Sequence, residues 1–348
     1  MPTILIPHQT GSNIYVRELG RGYQNLGCKV IYGSENLLEQ NITPDLLHLQ
    51  WPEEQYRWKG DGNLHQRVSK FISSLITLKE SGVKIAWTVH NINPHDHSSS
   101  QIDDEAYQRV IDLTDLIVHH CPESSILLRR KYRVPNEKLE VTSPHGHYLA
   151  YPNKISREDA RLKLHIPKDA FVYLHFGNVR GYKGLNLLFD AFKKLSAKNK
   201  YLLVAGRYDV LTGRGALHDR LLLAWKRRFS NISLILYEIP SDDIDIYIKA
   251  SDCLVLSHTT GLNSGVAVLG MTFGKMVIGP NIGCMQWVLS EGNNLLYDAG
   301  DSSSLRSAMT TALESNAISC ERINKDIAQK WRWEEMALKI ITALNIRH

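Results

Sequence analysis

Short runs of Ile, Val and Leu alternate along most of this chain with stretches whose apolar residues recur at helical spacing. Residues 3–7 (TILIP), 29–33 (KVIYG) and 46–51 (LLHLQW) predict strands, and residues 15–27 between the first two predict an amphipathic helix. Residues 64–81 continue the series as a helix. Residues 83–91 (VKIAWTVHN) form a nearly continuous apolar run, the pattern of a strand buried on both faces of a parallel sheet. Strand-like runs follow at 116–121 and 139–144. The rhythm lapses over 145–168, a polar, Pro-containing stretch that reads as a connection between domains.

It then restarts. Strands are predicted at 170–177, 201–206, 232–238 and 253–257, with helices at 184–197, near 216–229 and at 242–250. After 276–283 the chain adds more helix, ending at 331–345. Two alternating α/β units, each a parallel sheet covered by helices, account for the pattern.

The length of 348 residues suits two domains. With 43% hydrophobic and 22% charged residues, collagen-like, mucin-like and coiled-coil readings are excluded. A net charge of +5 mildly favours anionic partners such as phosphates or anionic lipid heads. No run reaches the roughly 18 to 20 apolar residues that span a bilayer, and residues 1–13 lack a leader pattern, so a cytoplasmic location is expected. The five cysteines are scattered without a CxxC pair, which gives no zinc knuckle.

Ligands of open α/β sheets lie beyond the carboxyl ends of the strands, and two such domains facing each other place a cleft between their loops. After the strand at 170–177, Arg180 and Lys183 stand on a turn flanked by Gly177, Gly181 and Gly184. A guanidinium and an ammonium there suit a diphosphate, because both neutralise charge that grows as a phosphate leaves. The solvated basic turn is the plainer alternative. After 253–257, a small-residue loop runs into a helix starting near Gly265. The backbone N–H groups of Ser264, Gly265 and Val266 form an anion site at the positive helix end, unless Asn263 or Ser264 merely caps it.

The order of these segments resembles the GT-B glycosyltransferases, in particular bacterial group 1 enzymes of polysaccharide and glycolipid assembly. The resemblance rests on FGNVRGYKGLNLL at 176–188, LLVAGRYD at 202–209, LYEIPSDDIDIYIKASDCLVL at 236–256 and SGVAVLGMTFGKMVIGPNIG at 264–283. Segments HLQWPEE at 48–54, WTVHNINPHD at 87–96 and SPHGHY at 143–148 extend it to most of the chain. It implies an α/β GT-B fold, two Rossmann-like domains facing each other across a cleft. Residues 1–160 are then an acceptor-binding domain, 161–328 a donor-binding domain, and 329–348 a terminal helix crossing back to the first.

The resemblance implies a metal-independent hexosyltransferase that moves a sugar from a UDP or GDP carrier to a saccharide or lipid-linked acceptor, with no nucleic acid involved. Arg180, Lys183, Ser264, Gly265 and Val266 then hold the donor diphosphate. Glu238 and Ile239 receive the base and ribose, and Gly206 and Arg207 line the same pocket. A lipid-linked acceptor brings with it peripheral contact with the inner face of the membrane; the basic clusters at 129–133 and 226–228 suit an anionic surface, with solvated helix faces as the plainer alternative.

One departure concerns the chemistry. Many retaining members carry two glutamates eight positions apart where this chain has Gly261 and Leu269. An inverting enzyme needs a base for the acceptor hydroxyl, and Asp96 and His90 are the candidates in the loop after 83–91, with Glu53 or Glu54 in QWPEE as alternatives. Gly11, Ser12, Asn13 and His145 are expected to line the acceptor side. A catalytically silent partner subunit, a GT-B epimerase and a sugar phosphorylase are the competing readings. A dinucleotide oxidoreductase is disfavoured, because HQTGSN and not G-x-G-x-x-G follows the first strand.

Overall fold

In the computed structural model, the described residues are all except 12, 58–60, 95–99, 179–182, 209–229, 316 and 347–348. The chain divides into two units, Met1–Gly146 with Trp331–His348, and His147–Lys330. The helix expected near 216–229 lies outside the described residues.

In the first unit, the apolar runs become β1 (Thr3–Ile6), β2 (Lys29–Tyr32), β3 (Leu46–Leu49), β4 (Lys84–Thr88), β5 (Leu116–His119) and β6 (Leu139–Thr142). Among the described residues they form a parallel sheet of order β2-β1-β3-β4-β5-β6. In β1, β3, β4 and β5 nearly every side chain is buried, as strands covered on both faces require. Leu5 sits opposite Leu47, and Leu49 opposite Trp87.

The helix Ile14–Asn25 buries Tyr15, Val16, Leu19 and Tyr23 against this sheet. The terminal helix Trp333–Ala343 joins the same core through Trp333, Met336, Ala337, Ile340 and Ile341. Gly22 permits the approach, since a Cβ there would lie 2.7 Å from the carbonyl oxygen of Trp333. The last helix therefore belongs to the first unit, as the resemblance implied.

The second unit holds β7 (Phe171–Phe176), β8 (Lys200–Ala205), β9 (Ile232–Ile235), β10 (Cys253–Val255), β11 (Met276–Pro280) and β12 (Leu295–Tyr297). Their order among the described residues is β12-β11-β10-β7-β8-β9, again parallel. Helices Leu185–Lys194 and Ser302–Glu314 cover one face through Leu188, Phe189, Phe192, Leu305 and Met309.

The stretch 145–168 differs from its reading as a mere connection. Arg157–Lys163 is a helix, capped by the Ser156 side chain accepting from the Asp159 N–H. Its Arg161 is buried, donates to the carbonyls of Ala250, Lys168 and Ala170, and pairs with Asp252 at 2.8 Å. The apolar signal is weak because the residues turned inward are an alanine and an arginine.

Candidate active site

In each sheet the winding direction reverses once, and ligands of such sheets collect at the carboxyl ends beside that reversal. In the second unit the reversal falls between β7 and β10, so the loops following these strands flank it. Those loops carry the two predicted phosphate grips.

Gly177 follows β7 with a φ of +94°, a conformation that side chains rarely adopt. A Cβ on it would lie 3.4 Å from Lys183 Nζ and 3.5 Å from Val266 Cγ2. The ammonium therefore stands beside the first turn of the helix Gly265–Thr272, with Lys183 only 9% exposed. Ser257, from the loop after β10, donates its hydroxyl to the Lys183 carbonyl at 2.6 Å and fixes the turn. Ser264 is the N-cap of that helix in extended conformation, but its side chain makes no capping bond. Ammonium and helix end together concentrate positive potential at one point. Arg180 lies outside the described residues.

Beneath them, on β7, is His175, 1% exposed, whose Nδ1–H donates to the Val255 carbonyl at 3.2 Å. Burial first, and the Lys183 charge second, push its pKa down to about 3, so it stays neutral and adds no charge of its own. Gly206 follows β8 with φ +144°, and a Cβ there would lie 2.2 Å from the Gly177 carbonyl oxygen. Arg207, next to it, pairs at 3.5 Å with Glu238 from the segment after β9. Parallel pairing of β8 with β9 thus brings Gly206, Arg207, Glu238 and Ile239 to one edge. Gly261 has φ +138°, and Leu269 is buried in its helix, so neither position offers a carboxylate.

In the first unit the reversal falls between β1 and β3. The loop after β3 turns into the short helix Pro52–Gln55, which sends its two glutamates in different directions. Glu53 is fully buried and accepts from the Tyr107 hydroxyl at 2.7 Å. Glu54 instead meets His8, which follows β1: His8 Nδ1 lies 3.1 Å from Glu54 Oε2.

Three further imidazoles arrive from the ends of β4, β5 and β6. His90, His120 and His145 surround the ring of Tyr15 at centroid distances of 4.6, 5.7 and 4.9 Å. His90 stacks on Trp51 at 4.2 Å and its Nε2–H donates to Gln50 Oε1 at 2.9 Å. Burial pushes the pKa of His120 to about 3 and that of His145 to about 4. Asn13 caps the helix Ile14–Asn25 by accepting from the Tyr15 N–H, and Gly11 is exposed beside it. Ser12 and Asp96 lie outside the described residues.

Sequence reasoning missed His8, His120, His175 and Tyr15, whose partners lie far away along the chain. In the basic cluster at 129–133, Arg129 pairs with Glu140 and Lys131 with Asp104, so much of its charge is met inside the unit. Among the described residues no helix is long and apolar enough to cross a membrane, and no cluster of His, Cys, Asp or Glu has the makings of a metal site.

Comparison with known proteins adds the family. The family model described as "Glycosyl transferases group 1" matches residues 156–330. A GDP-mannose:glycolipid 4-beta-D-mannosyltransferase of Xanthomonas campestris pv. campestris is 24% identical over 245 residues, 68% of this chain and 61% of its own. The chain thus spans about three fifths of the length of the curated relatives it matches. Sucrose-phosphate synthase from Thermosynechococcus elongatus superposes with a TM-score of 0.76 at 18% identity, covering 99% of this chain and 98% of that one. Anabaena HepE in complex with UDP and glucose gives 0.74 at 16%, covering 99% and 100%. These likenesses establish the GT-B fold. The family match takes in half of the chain, including the loops that carry Lys183 and Ser264, and the chain belongs to the group 1 glycosyltransferases.

Proposed function

We propose that this chain transfers a sugar from a nucleoside-diphosphate sugar to a saccharide or lipid-linked acceptor in glycolipid or polysaccharide assembly. The observation that carries this reading is the Lys183 ammonium, set beside Gly177 and the first turn of the helix Gly265–Thr272 at the reversal of the second sheet. Donor binding is assigned to the second unit and acceptor binding to the first. Lys183, Arg180, Ser264, Gly265 and Val266 take the diphosphate, and Gly206, Arg207, Glu238 and Ile239 take the base and ribose. Cationic side chains and a helix end neutralise the leaving diphosphate, so the reading assigns no metal to the reaction.

The absence of carboxylates at Gly261 and Leu269 favours direct displacement by the acceptor, assisted by a base in the first unit. The Xanthomonas relative's name specifies a β-linked product, which direct displacement gives from an α-linked donor. That name makes GDP-mannose the first donor to assay, and the UDP complex of Anabaena HepE makes UDP sugars the second. A lipid-linked acceptor would bring the enzyme to the inner face of the cell membrane.

Thermal-shift measurements against UDP, GDP, ADP, dTDP and CMP test the reading. One nucleoside diphosphate is expected to stabilise the wild type, by about 2.7 kcal/mol at a hundredfold excess over Kd. Lys183→Ala is expected to abolish that shift while the corresponding nucleoside still binds. Equal loss for nucleoside and diphosphate would remove the phosphate assignment, and no shift with any nucleotide would overturn the donor site. Tight nucleotide binding without turnover of any donor would point to a silent subunit.

A further inference from the structure

The pairing of His8 with Glu54 is the feature that the donor site leaves unused. β1 and β3 are neighbours at the reversal of the first sheet, and these two residues extend from their carboxyl ends. The backbone around His8 is fixed: its N–H donates to the Ile6 carbonyl at 2.7 Å, and its own carbonyl accepts from the Gly33 N–H at 3.2 Å. The preceding Pro7 carbonyl accepts from Ser34 Oγ and Gln55 Nε2, each at 2.9 Å. The imidazole packs edge-on against Trp51, with ring centroids 5.5 Å apart. A carboxylate oxygen can only accept, so Nδ1 carries the proton toward Glu54, and the lone pair sits on Nε2. Nε2 is buried and has no hydrogen-bond partner among the described residues. His8 is 3% exposed, whereas the Glu54 side chain is 36% exposed and lies at the protein surface.

The neighbouring imidazoles are arranged differently. His48, His119 and His120 have both ring nitrogens engaged, and His90 Nε2 and His145 Nδ1 are committed as donors to Gln50 and Gly146. His8 combines a carboxylate on one nitrogen with an unpartnered lone pair on the other, the arrangement of an imidazole base held in one tautomer.

We infer that His8 is the catalytic base of the sugar transfer and that Glu54 is the residue positioning it, an assignment that rests on the proposed transferase activity. The acceptor hydroxyl oxygen forms a bond to the sugar's anomeric carbon as the bond from that carbon to the diphosphate oxygen breaks. The hydroxyl proton passes to His8 Nε2, and the nucleoside diphosphate leaves with the bonding pair. Glu54 stabilises the imidazolium so formed and returns it to the same tautomer after the proton is lost to solvent.

The test measures kcat and KM for donor and acceptor in His8→Gln, His8→Ala, Glu54→Gln and Glu54→Asp, together with unfolding curves and the nucleoside-diphosphate thermal shift. His8→Gln is expected to lower kcat by about 10² to 10⁴ with both KM values within about threefold. Glu54→Gln is expected to lower kcat by about tenfold or more, with partial recovery in Glu54→Asp. The nucleotide shift stays as in the wild type, because the Lys183 grip belongs to the other unit. Added imidazole restores part of the turnover of His8→Ala and none of that of Lys183→Ala.

A folded His8→Gln or Glu54→Gln variant with kcat within threefold of a wild type that does transfer sugar would overturn this inference alone. A wild type that binds nucleotide and transfers nothing overturns the activity and the base together. If His8→Ala fails to fold, the half-exposed and near-isosteric Glu54→Gln still decides between the outcomes.

Discussion

Gly184 shows how one residue conditions the proposed donor site. It has φ +59°, and a Cβ on it would lie 2.1 Å from the carbonyl oxygen of Ser257, whose hydroxyl holds the Lys183 carbonyl. Gly184→Ala therefore meets two penalties, about 1 to 2 kcal/mol for the left-handed backbone and about 1 to 3 kcal/mol for the clash. Gly300→Ala in the same unit meets only the first, since φ is +85° but nothing lies within 4 Å of its Cβ position. Urea unfolding of the two variants is expected to differ by the clash term, and Gly184→Ala alone is expected to lose the nucleoside-diphosphate shift. Equal destabilisation with nucleotide binding intact in both would show that the turn tolerates displacement. The sequence marks Gly177 and Gly184 as places where a turn is permitted, because glycine is cheap to read. That Gly184 faces the Ser257 carbonyl and Gly177 the Val266 side chain depends on β7 and β10 being neighbours, although they are about 80 residues apart.

Elements were legible where burial makes them uniform. The strands at the centre of each sheet show as apolar runs because both faces are covered, and the helix Leu64–Glu80 shows by its spacing. The helix Arg157–Lys163 did not, because what ties it down is polar. Arg161 inserts its guanidinium among four carbonyls and Asp252, which also accepts from the Val172 N–H at 2.7 Å at the start of β7. Removing the Arg161 guanidinium leaves Asp252 paired with Arg157 at 2.7 Å but strips the buried carbonyls of their donor, which costs about 1 to 3 kcal/mol. Arg161→Ala is expected to destabilise the second unit by that amount in urea unfolding. Arg161→Lys recovers a minor part, since one ammonium does not reproduce the planar fork of donors. A loss under about 1 kcal/mol for the alanine variant would mean that the helix is held by its apolar contacts alone. The same reasoning explains why the turn around Lys183 stands out in the sequence while the pairing of His8 with Glu54 does not. Lys183 lies within a local Gly-rich turn, whereas the other two residues are 46 positions apart and meet only because β1 lies beside β3.

For the whole molecule, the buried imidazoles set how stability responds to acid. Burial holds His48 and His120 at about 3 and His145 at about 4 in the first unit, and His175 at about 3 in the second. Each binds a proton readily once unfolded, near 6.5, and resists it when folded. The unfolded state therefore takes up more protons as pH falls below about 6.5. Stability present above that pH is lost progressively down to about 3 or 4, at up to about 1.4 kcal/mol per pH unit for each imidazole. Asp103 is raised by burial but lowered more by its hydrogen bonds from Arg57 and Ser100, to about 2, and Glu140 is held at about 2, chiefly by its bond with His119. Those carboxylates lose their contribution in a second window, below about pH 4.

Three of the four imidazoles lie in the first unit, so acid is expected to weaken that unit first. Calorimetry from pH 7.5 to pH 5 should show a falling Tm, and hydrogen exchange should show amides of β1, β3 and β4 losing protection before those of β7 and β8. Nucleoside-diphosphate binding, which we assign to the second unit, is then expected to persist at a pH where sugar transfer has ceased, and transfer should return on neutralisation. If Tm stays flat over this range, these imidazoles are reached by water and already share their protons with it. If the strands of both units open together, the two units unfold as one and the acid response cannot be divided between them.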